Sequence, residues 1–483
     1  MRGDGDNGAL TDHRDLVAPV LALAGWCGFA WYIFWQGTVG QPVIWTDSMS
    51  YATVAANPVW STGFWAGQRP PLVPLVLKLA GSATGFTALQ SVLAVGAWGF
   101  LAFTVGRLVP EGWRRVVAVW IVLGFATTTP ITLWNRSVLS ESLSLSLLAL
   151  LVAATIWAVR GLTWPRVTAL GFVALLFAAT RDAQVWTVAA LGVIVAVVAL
   201  ARWRRNRPSS LRIVALAVSL LLVAGVTGWV VVHTGRSRQN VANALYVRIF
   251  PFPSRVAWFA AHGMPYARAI DRSMAYTKPP TPGAAKVFNT SDPKLASLEA
   301  PLEQWIVNHG QSTYLLWLVT HPAYVFTEPL QRPERSFNFD NGLLTFYAAP
   351  DRVDSPASPV LWPAWWWLLP LTVIGLGTAA VRGGWRERSF QAVVMLGALG
   401  IFTMLVAWHG DGQEVTRHTI EGFAELRTSV LILAVVGVLR IVPPRRRPER
   451  NDPERNDPGP DLPESEPVAH RDDGSVVSEV AAH

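Results

Sequence analysis

Charge is scarce in this 483-residue chain. Only 15% of residues are Asp, Glu, Lys or Arg, against about a quarter in an ordinary soluble domain. With 51% hydrophobic residues, that scarcity excludes a disordered chain and a charged coiled coil. Cysteine is almost absent: Cys27 is the single one, so no disulfide can form within the chain and a disulfide scaffold is excluded. Lysine is rare, 4 residues against 36 arginines. Acids are nearly missing from the first part of the chain, where Asp47 is the only one between residues 16 and 110. What is abundant is tryptophan, 24 residues, and a mean hydropathy of +0.32 goes with it. The solvent of such a chain is mostly lipid.

Long apolar runs bear this out. A membrane-crossing helix needs about 20 mostly apolar residues, and about ten runs approach that, at 16–36, 84–106, 116–134, 138–159, 167–181, 183–201, 213–232, 361–381, 389–408 and 422–442. The fifth is short and the tenth carries charge at its start. The runs are continuous rather than alternating, which argues against a transmembrane barrel. The expected fold is therefore an all-α polytopic membrane protein. The first run ends in Trp31-Tyr32-Ile33-Phe34-Trp35 without a small-residue cleavage site, so it reads as an uncleaved anchor.

The net charge of +8 could suggest nucleic acid, but position decides otherwise. Arg107, Arg114 and Arg115 follow the second run, and Arg160 and Arg166 the fourth. Arg202, Arg204, Arg205, Arg207 and Arg212 follow the sixth, Arg382, Arg386 and Arg388 the eighth, and Arg445 to Arg447 the tenth. Five connections agree, and the excess of positive charge on cytoplasmic loops places both termini inside. Nucleic acid would need those arginines on one folded face, so no nucleic-acid partner is expected. The organisation that follows is a cytoplasmic N-terminus at 1–15 and spans over 16–232, with a first outward loop at 37–70. An extracytoplasmic domain at 233–360 comes next, then spans over 361–442 and a charged, Pro-rich, disordered tail at 443–483. The domain at 233–360 is expected to be mixed or mainly helical, with helix-compatible stretches at 255–276 and 299–328.

Ionisable groups at the outward membrane face are costly and point to function. Asp47 lies in Ile44-Trp45-Thr46-Asp47-Ser48-Met49, where it could instead cap a short helix. Arg69 precedes Pro70-Pro71, where a bland role is contact with lipid phosphate. Glu141 opens the fourth span, with Arg136 as a candidate partner. Arg181 and Asp182 sit side by side at the next outward turn and could simply pair. The last outward loop carries His409, Asp411, Glu414, Arg417 and His418 and runs on to Glu421 and Glu425. Two acids, two histidines and an arginine within ten residues could ligate a divalent metal, although the spacing fits no specific zinc pattern. Arginine suits bidentate phosphate binding, and acids suit general-base work or metal. Acids and arginines together on one face match a substrate with a phosphate at the lipid surface and a hydroxyl to activate.

In the order and membrane side of these motifs, the chain resembles the polytopic GT-C glycosyltransferases, which use polyprenyl-phosphate sugars. The nearest likeness is to the dolichyl-phosphate-mannose–protein mannosyltransferases and the lipid A aminoarabinose transferases. Four features carry it: Asp47 in the first outward loop, the Pro70 to Leu75 run, the Ser140-Glu141 pair opening a span, and a large outward domain before the last spans. The likeness covers mainly residues 16–240. Asp47-Ser48 departs from the paired acids of many members, which bears on metal use, and the Pro-Pro element lacks the aromatic that often follows it. The resemblance implies a bacterial plasma-membrane transferase acting on the extracytoplasmic side. Its donor would be a polyprenyl-phosphate-linked sugar, and its acceptor a glycan, lipid or protein. It makes Asp47 the general base, with Glu141 sharing that role or orienting the acceptor. Arg69, Arg181 and Arg417 would bind the donor phosphate. Asp182, Asp411, Glu414 and His418 remain for the acceptor or a metal. The alternatives are a transporter or flippase, which would place charges inside the spans and break paired helices, and a polymerase or ligase of lipid-linked surface glycans.

Overall fold

The computed structural model describes residues 9–205, 210–234, 236–265, 301–331, 347, 349, 353–381, 384–412 and 415–441. Among these the secondary structure is helical apart from one isolated parallel bridge, Val43 to Ser137. The helices in the first half are α1 (Ala9–Thr38), α2 (Thr46–Ala56), α3 (Thr62–Trp65), α4 (Leu72–Ala80), α5 (Ala83–Gly106), α6 (Trp113–Ala126) and α7 (Thr129–Thr132). After them come α8 (Glu141–Val159), α9 (Trp164–Ala178), α10 (Asp182–Trp203) and α11 (Ser210–His233). Seven helices among the described residues are long and apolar enough to cross a membrane, and Trp164–Ala178 and Trp365–Val381 are shorter apolar ones.

The third apolar run behaves differently from the expectation of a span over 116–134. Its helix α6 has 14 residues, about 21 Å at the usual rise, against about 30 Å of hydrocarbon. Thr127, Thr128, Thr129 and Pro130 end it. The hydroxyls of Thr127 and Thr128 bond back to Gly124 O and Phe125 O at 2.7 Å, and Pro130 has no amide hydrogen to donate. The chain then turns through α7 and runs beside the loop between α1 and α2, where Val43 N donates to Arg136 O at 2.8 Å.

Helix α8 is the bundle's centre. Sixteen of its 19 residues are buried, and apolar and serine residues alternate around it, so it meets neighbours on every side. Around it pack α5, α9, α18 (Arg388–Gly410) and α20 (Ile420–Ile441). The last two touch backbone to backbone. A Cβ on Gly400 would come within 2.7 Å of Leu426 N, and one on Gly422 within 2.5 Å of Met404 N. Small residues permit that approach in a membrane bundle.

At the end where the arginine-rich connections lie, those arginines tie neighbouring loops together. Arg440 donates to Leu108 O at 2.6 Å and Arg212 to Leu162 O at 3.0 Å. Arg166 lies over the Trp157 ring at 4.8 Å.

Between α11 and α17 (Leu368–Val381) lie α12 (Arg236–Ala244), which continues in a π-helical turn over Leu245–Ile249, and α13 (Pro253–Ala261). A π turn over Ile306–Gly310 then leads into α14 (Gln311–Thr320), followed by α15 (Pro322–Gln331) and α16 (Ser358–Leu361). They share a second core of Phe250, Phe259, Trp305, Tyr314 and Trp317. The helix expected over 255–276 stops at Ala261, where Gly263 takes φ +86°, a conformation other residues rarely adopt. Residues 266–276 and the tail 442–483 lie outside the described residues.

The charge at the start of the tenth apolar run is buried. Helix α20 buries Glu425 and Arg427. Thr403 of α18 donates to Glu425 Oε2 at 3.4 Å. Arg427 donates to Pro363 O at 2.7 Å and lies 4.6 Å from the Trp362 ring centroid.

Candidate active site

Asp47 sits in the first turn of α2 but does not cap it. The cap position is Trp45, whose amide donates to Ser48 Oγ at 2.9 Å, while Ser48 Oγ donates to Val138 O at 2.8 Å. Ser48 thus pins the helix to the strand-like segment before α8 and leaves the Asp47 carboxylate free for other partners. Those are two guanidiniums. Arg69 Nη2 pairs with Oδ1, and Arg417 Nη2 with Oδ2 at 2.9 Å. Burial pushes the Asp47 carboxyl up, but Arg417 and Arg69 outweigh it and hold it below the ordinary carboxylate value. Arg69 is fixed from the other side by Ser50 Oγ at 2.7 Å and by the Tyr51 ring at 5.3 Å. It immediately precedes the Pro70-Pro71 turn into α4, and Leu72 N bonds to Ala179 O at 3.1 Å. The contact with lipid phosphate that a solitary loop arginine would make is replaced by protein carboxylate.

Arg417, on the short helix α19 (Val415–His418), is the junction. Its Nε faces Glu141 Oε1 at 2.5 Å and its Nη1 donates to the Tyr347 hydroxyl at 3.1 Å. The Tyr347 ring lies 4.9 Å from Trp45 and 5.4 Å from Trp134, so aromatic walls exclude water from one flank. Glu141 in turn meets Arg181 Nη1 at 3.3 Å, and that same nitrogen meets Glu421 Oε1 at 2.7 Å. Ser144 of α8 donates to the same Glu421 oxygen at 2.5 Å. The result is a chain of alternating sign: Arg69, Asp47, Arg417, Glu141, Arg181, Glu421. It draws on α2, the loop before α4, α19 and the first turns of α8, α10 and α20. Such alternation is what makes buried charges tolerable, since each inner ion of the chain is compensated on both sides.

His418 closes the network. Arg181 Nη2 lies 2.5 Å from its Nδ1. Arginine can only donate, so Nδ1 is the acceptor and the proton sits on Nε2, which faces Asp411 Oδ2 at 3.4 Å. Burial first, and then Arg181, Arg417 and Arg69, hold His418 well below its ordinary value, so it is neutral at neutral pH. Asn243 of α12 donates to Asp411 Oδ1 at 3.1 Å, and Arg248 in the π turn to Asp411 O at 3.3 Å. Helix α12 and its π turn are thereby tied to the loop between α18 and α19.

The structure brings Asp47, Arg69, Glu141, Arg181, Arg417, Asp411 and His418 into one connected set. Glu414 lies outside the described residues. Two expected pairings are replaced. Asp182 pairs with Arg236 of α12 at 3.6 Å rather than with its neighbour Arg181. Glu141 takes Arg417 and Arg181, while Arg136 donates to Gln41 O at 2.9 Å. Glu141 itself is 0% exposed and meets Arg417 through Nε, where Asp47 meets it through Nη2. Ser144, Tyr347 and Arg236 are not singled out by the sequence, and Glu421 stands out only as the continuation of the charged last loop. Glu421 carried the same signal as Glu141, an acid in the first turn of an apolar helix; Tyr347 and Arg236 carried none. Among the described residues no group of three or more His, Cys, Asp or Glu could hold a metal ion.

No protein-family model matches this sequence, and no curated protein matches it. Among solved structures, the chain is similar to the archaeal oligosaccharyltransferase AglB from Archaeoglobus fulgidus in complex with an inhibitory peptide and a dolichol-phosphate, at 12% identity and a TM-score of 0.41. The match covers 85% of this chain and 50% of that one, so the chain spans half of that protein's length.

Proposed function

We propose that this protein is a membrane glycosyltransferase of the bacterial plasma membrane. It moves a sugar from a polyprenyl-phosphate donor to a hydroxyl of an extracytoplasmic glycan, lipid or protein. The observation that carries the reading is Asp47, a partly exposed carboxylate held between Arg69 and Arg417 at one end of the bundle. Asp47 is charged and accepts the proton of the acceptor hydroxyl as the new bond to the sugar C1 forms. The bond from C1 to the phosphate oxygen breaks, and its electron pair stays on that oxygen. Inversion at C1 follows from attack on the face opposite the leaving group. The guanidiniums beside Asp47 meet the charge that grows on the phosphate, which is where preorganised donors contribute most.

Competition between ligand and protein is built into this arrangement. In the free site Arg69 and Arg417 are spent on Asp47 and weaken it as a base. A donor phosphate that draws on the same guanidiniums releases Asp47, whose basicity rises when the acceptor is to be deprotonated. Glu141, buried behind Arg417, is a positioning residue that aims that guanidinium. Arg181 balances Glu141 and Glu421, so its part in phosphate binding is secondary to Arg69 and Arg417. Asp411 and His418 flank the acceptor side.

The test is transfer from a synthetic polyprenyl-phosphate sugar by purified protein. Asp47→Asn should lower turnover by roughly 100-fold or more, the usual contribution of a positioned base. An Asp47→Asn protein that folds and keeps full transfer overturns the assignment.

A further inference from the structure

Helix α12 grips the loop after α18 in a way the transfer chemistry does not use. Gly412 lies so close to α12 that a Cβ on it would fall on Asn243 O and stand 3.0 Å from Val247 Cβ. Beside it, Asp411 is held at two points. Asn243 Nδ2 donates to its Oδ1 at 3.1 Å and Arg248 Nη2 to its backbone O at 3.3 Å. Those two donors are five residues apart. On a regular α-helix that spacing turns side chains about 140° away from each other. Between them, however, the helix makes its π turn over Leu245–Ile249, closed by Phe250 N on Leu245 O at 2.9 Å. A bond between residues five apart brings such residues back towards one face. The π turn is therefore what lets one short helix reach Asp411 twice.

Arg248 is itself fixed from three sides. It is buried, and its guanidinium lies 4.6 Å from the Trp408 ring centroid in the last turn of α18. Its Nη1 meets Glu328 Oε2 of α15 at 3.4 Å. Arg255 of α13 meets the other Glu328 oxygen at 3.2 Å and donates to Arg248 O at 2.5 Å. A guanidinium withdrawn from water needs such a counter-charge. The grip has a direction. With Oδ1 on Asn243, Oδ2 is the Asp411 oxygen that faces His418 Nε2, and His418 Nδ1 accepts from Arg181. A line of polar contacts thus runs from Glu328 through Arg248, Asp411 and His418 to Arg181.

We propose that Arg248 is a positioning residue of the site: with Asn243 it clamps Asp411, and so lets the packing of α12 to α15 set the orientation of His418 and Arg181. Glu328 is the counter-ion that keeps Arg248 in place. Arg248 touches neither Asp47 nor its two guanidiniums, so it acts on the site only through Asp411. Its effect on turnover rests on the reading of that site as a glycosyltransferase centre; the clamp itself does not.

Hydrogen–deuterium exchange of the full-length protein in detergent, read by mass spectrometry, tests the clamp without any substrate. In Arg248→Gln the amides of 415–419 should exchange about tenfold faster, the scale of a lost hydrogen bond to a charged group, while those of α8 stay as they were. Arg248→Lys should recover part of the difference, since it keeps the charge and a donor. Faster exchange confined to α12 to α15 would make Arg248 a prop of those helices alone and overturn the proposal. If Arg248→Gln does not fold, Glu328→Gln decides, and an unchanged rate at 415–419 in that variant overturns the proposal equally. A double-mutant cycle on transfer from the synthetic polyprenyl-phosphate sugar gives the second readout. Arg248→Gln should lower turnover about tenfold in the unaltered protein but far less in His418→Gln, because both changes break one line of contacts. Additive losses would show that Arg248 does not act through His418. The two readings fail separately. If 415–419 loosens in Arg248→Gln while Asp47→Asn keeps full transfer, the clamp stands and the transferase falls. If Asp47→Asn is inactive while 415–419 keeps its rate in folded Arg248→Gln, the function stands and the clamp falls.

Discussion

His418 illustrates how one side chain can report the state of the whole site. It is neutral because burial and three guanidiniums oppose a further positive charge, and its neutral tautomer is what lets it accept from Arg181 and face Asp411 with Nε2. In the unfolded chain the imidazole returns to its ordinary value of 6.5. The sign follows directly. A group with a depressed native pKa adds stability that is complete above the unfolded value and is lost as pH falls from there toward the native one. Thermal midpoints of the protein in detergent should therefore drop between pH 7 and pH 5, and His418→Gln should flatten that dependence while lowering the midpoint at pH 7. An equally steep dependence in the variant would place the titrating group elsewhere. Asp47 adds nothing in this window, because its native pKa lies below the ordinary 3.8; its pairing is lost only in stronger acid.

At the scale of elements, the site depends on how closely α18 and α20 approach. Arg417 sits on α19, between Asp411 after the end of α18 and Glu421 in the first turn of α20, so the spacing of those two helices sets the position of all three groups. Gly400 and Gly422 are where the backbones meet, and neither has room for a Cβ. Gly422→Val should force the helices apart, lowering the thermal midpoint by several degrees and transfer by more than tenfold. Gly96 is the control: a Cβ there meets nothing within 4 Å, so Gly96→Ala should be neutral or slightly stabilising. Equal loss in both variants would show that the crossing is not what holds the site. The same scale separates what the sequence discloses from what it hides. Runs such as 84–106 and 389–408 are legible because unbroken apolar stretches long enough to span have few other stable structures in lipid. The run at 116–134 misleads because hydropathy does not register three threonines and a proline as a stop. The candidate groups at the starts of the apolar helices are legible for the same reason that they are costly. Their pairing is not, since Asp47 with Arg417 and Glu141 with Arg181 join residues remote in sequence, and Arg236 needs its burial seen before it stands out.

For the whole molecule, the arginine distribution and the site make one joint claim. Connections after α5, α8, α10 and α17 are rich in arginine, and at that end Arg440 of α20 reaches Leu108 O and Glu387, and Arg212 of α11 reaches Leu162 O. The acids and arginines of the site come from the opposite ends of the helices they share, at the starts of α8, α10 and α20. If positive charge is retained in the cytoplasm, the site must open outward, where a lipid-linked sugar and an envelope acceptor could meet. This can be decided without any assay of transfer. Cys27 is the only native thiol, so Cys27→Ser gives a clean background. Trp60, 90% exposed between α2 and α3, and Glu111, with 85% of its side chain exposed in the loop between α5 and α6, serve as reporters on opposite ends. In intact cells a membrane-impermeant maleimide should label Trp60→Cys at once and Glu111→Cys only after permeabilisation. The reverse pattern would turn the bundle over and put Asp47 in the cytoplasm. Since the proposed chemistry needs only a donor phosphate and an acceptor hydroxyl on the same side, that result would redirect the search for the acceptor to cytoplasmic molecules and leave the logic of the charge network intact.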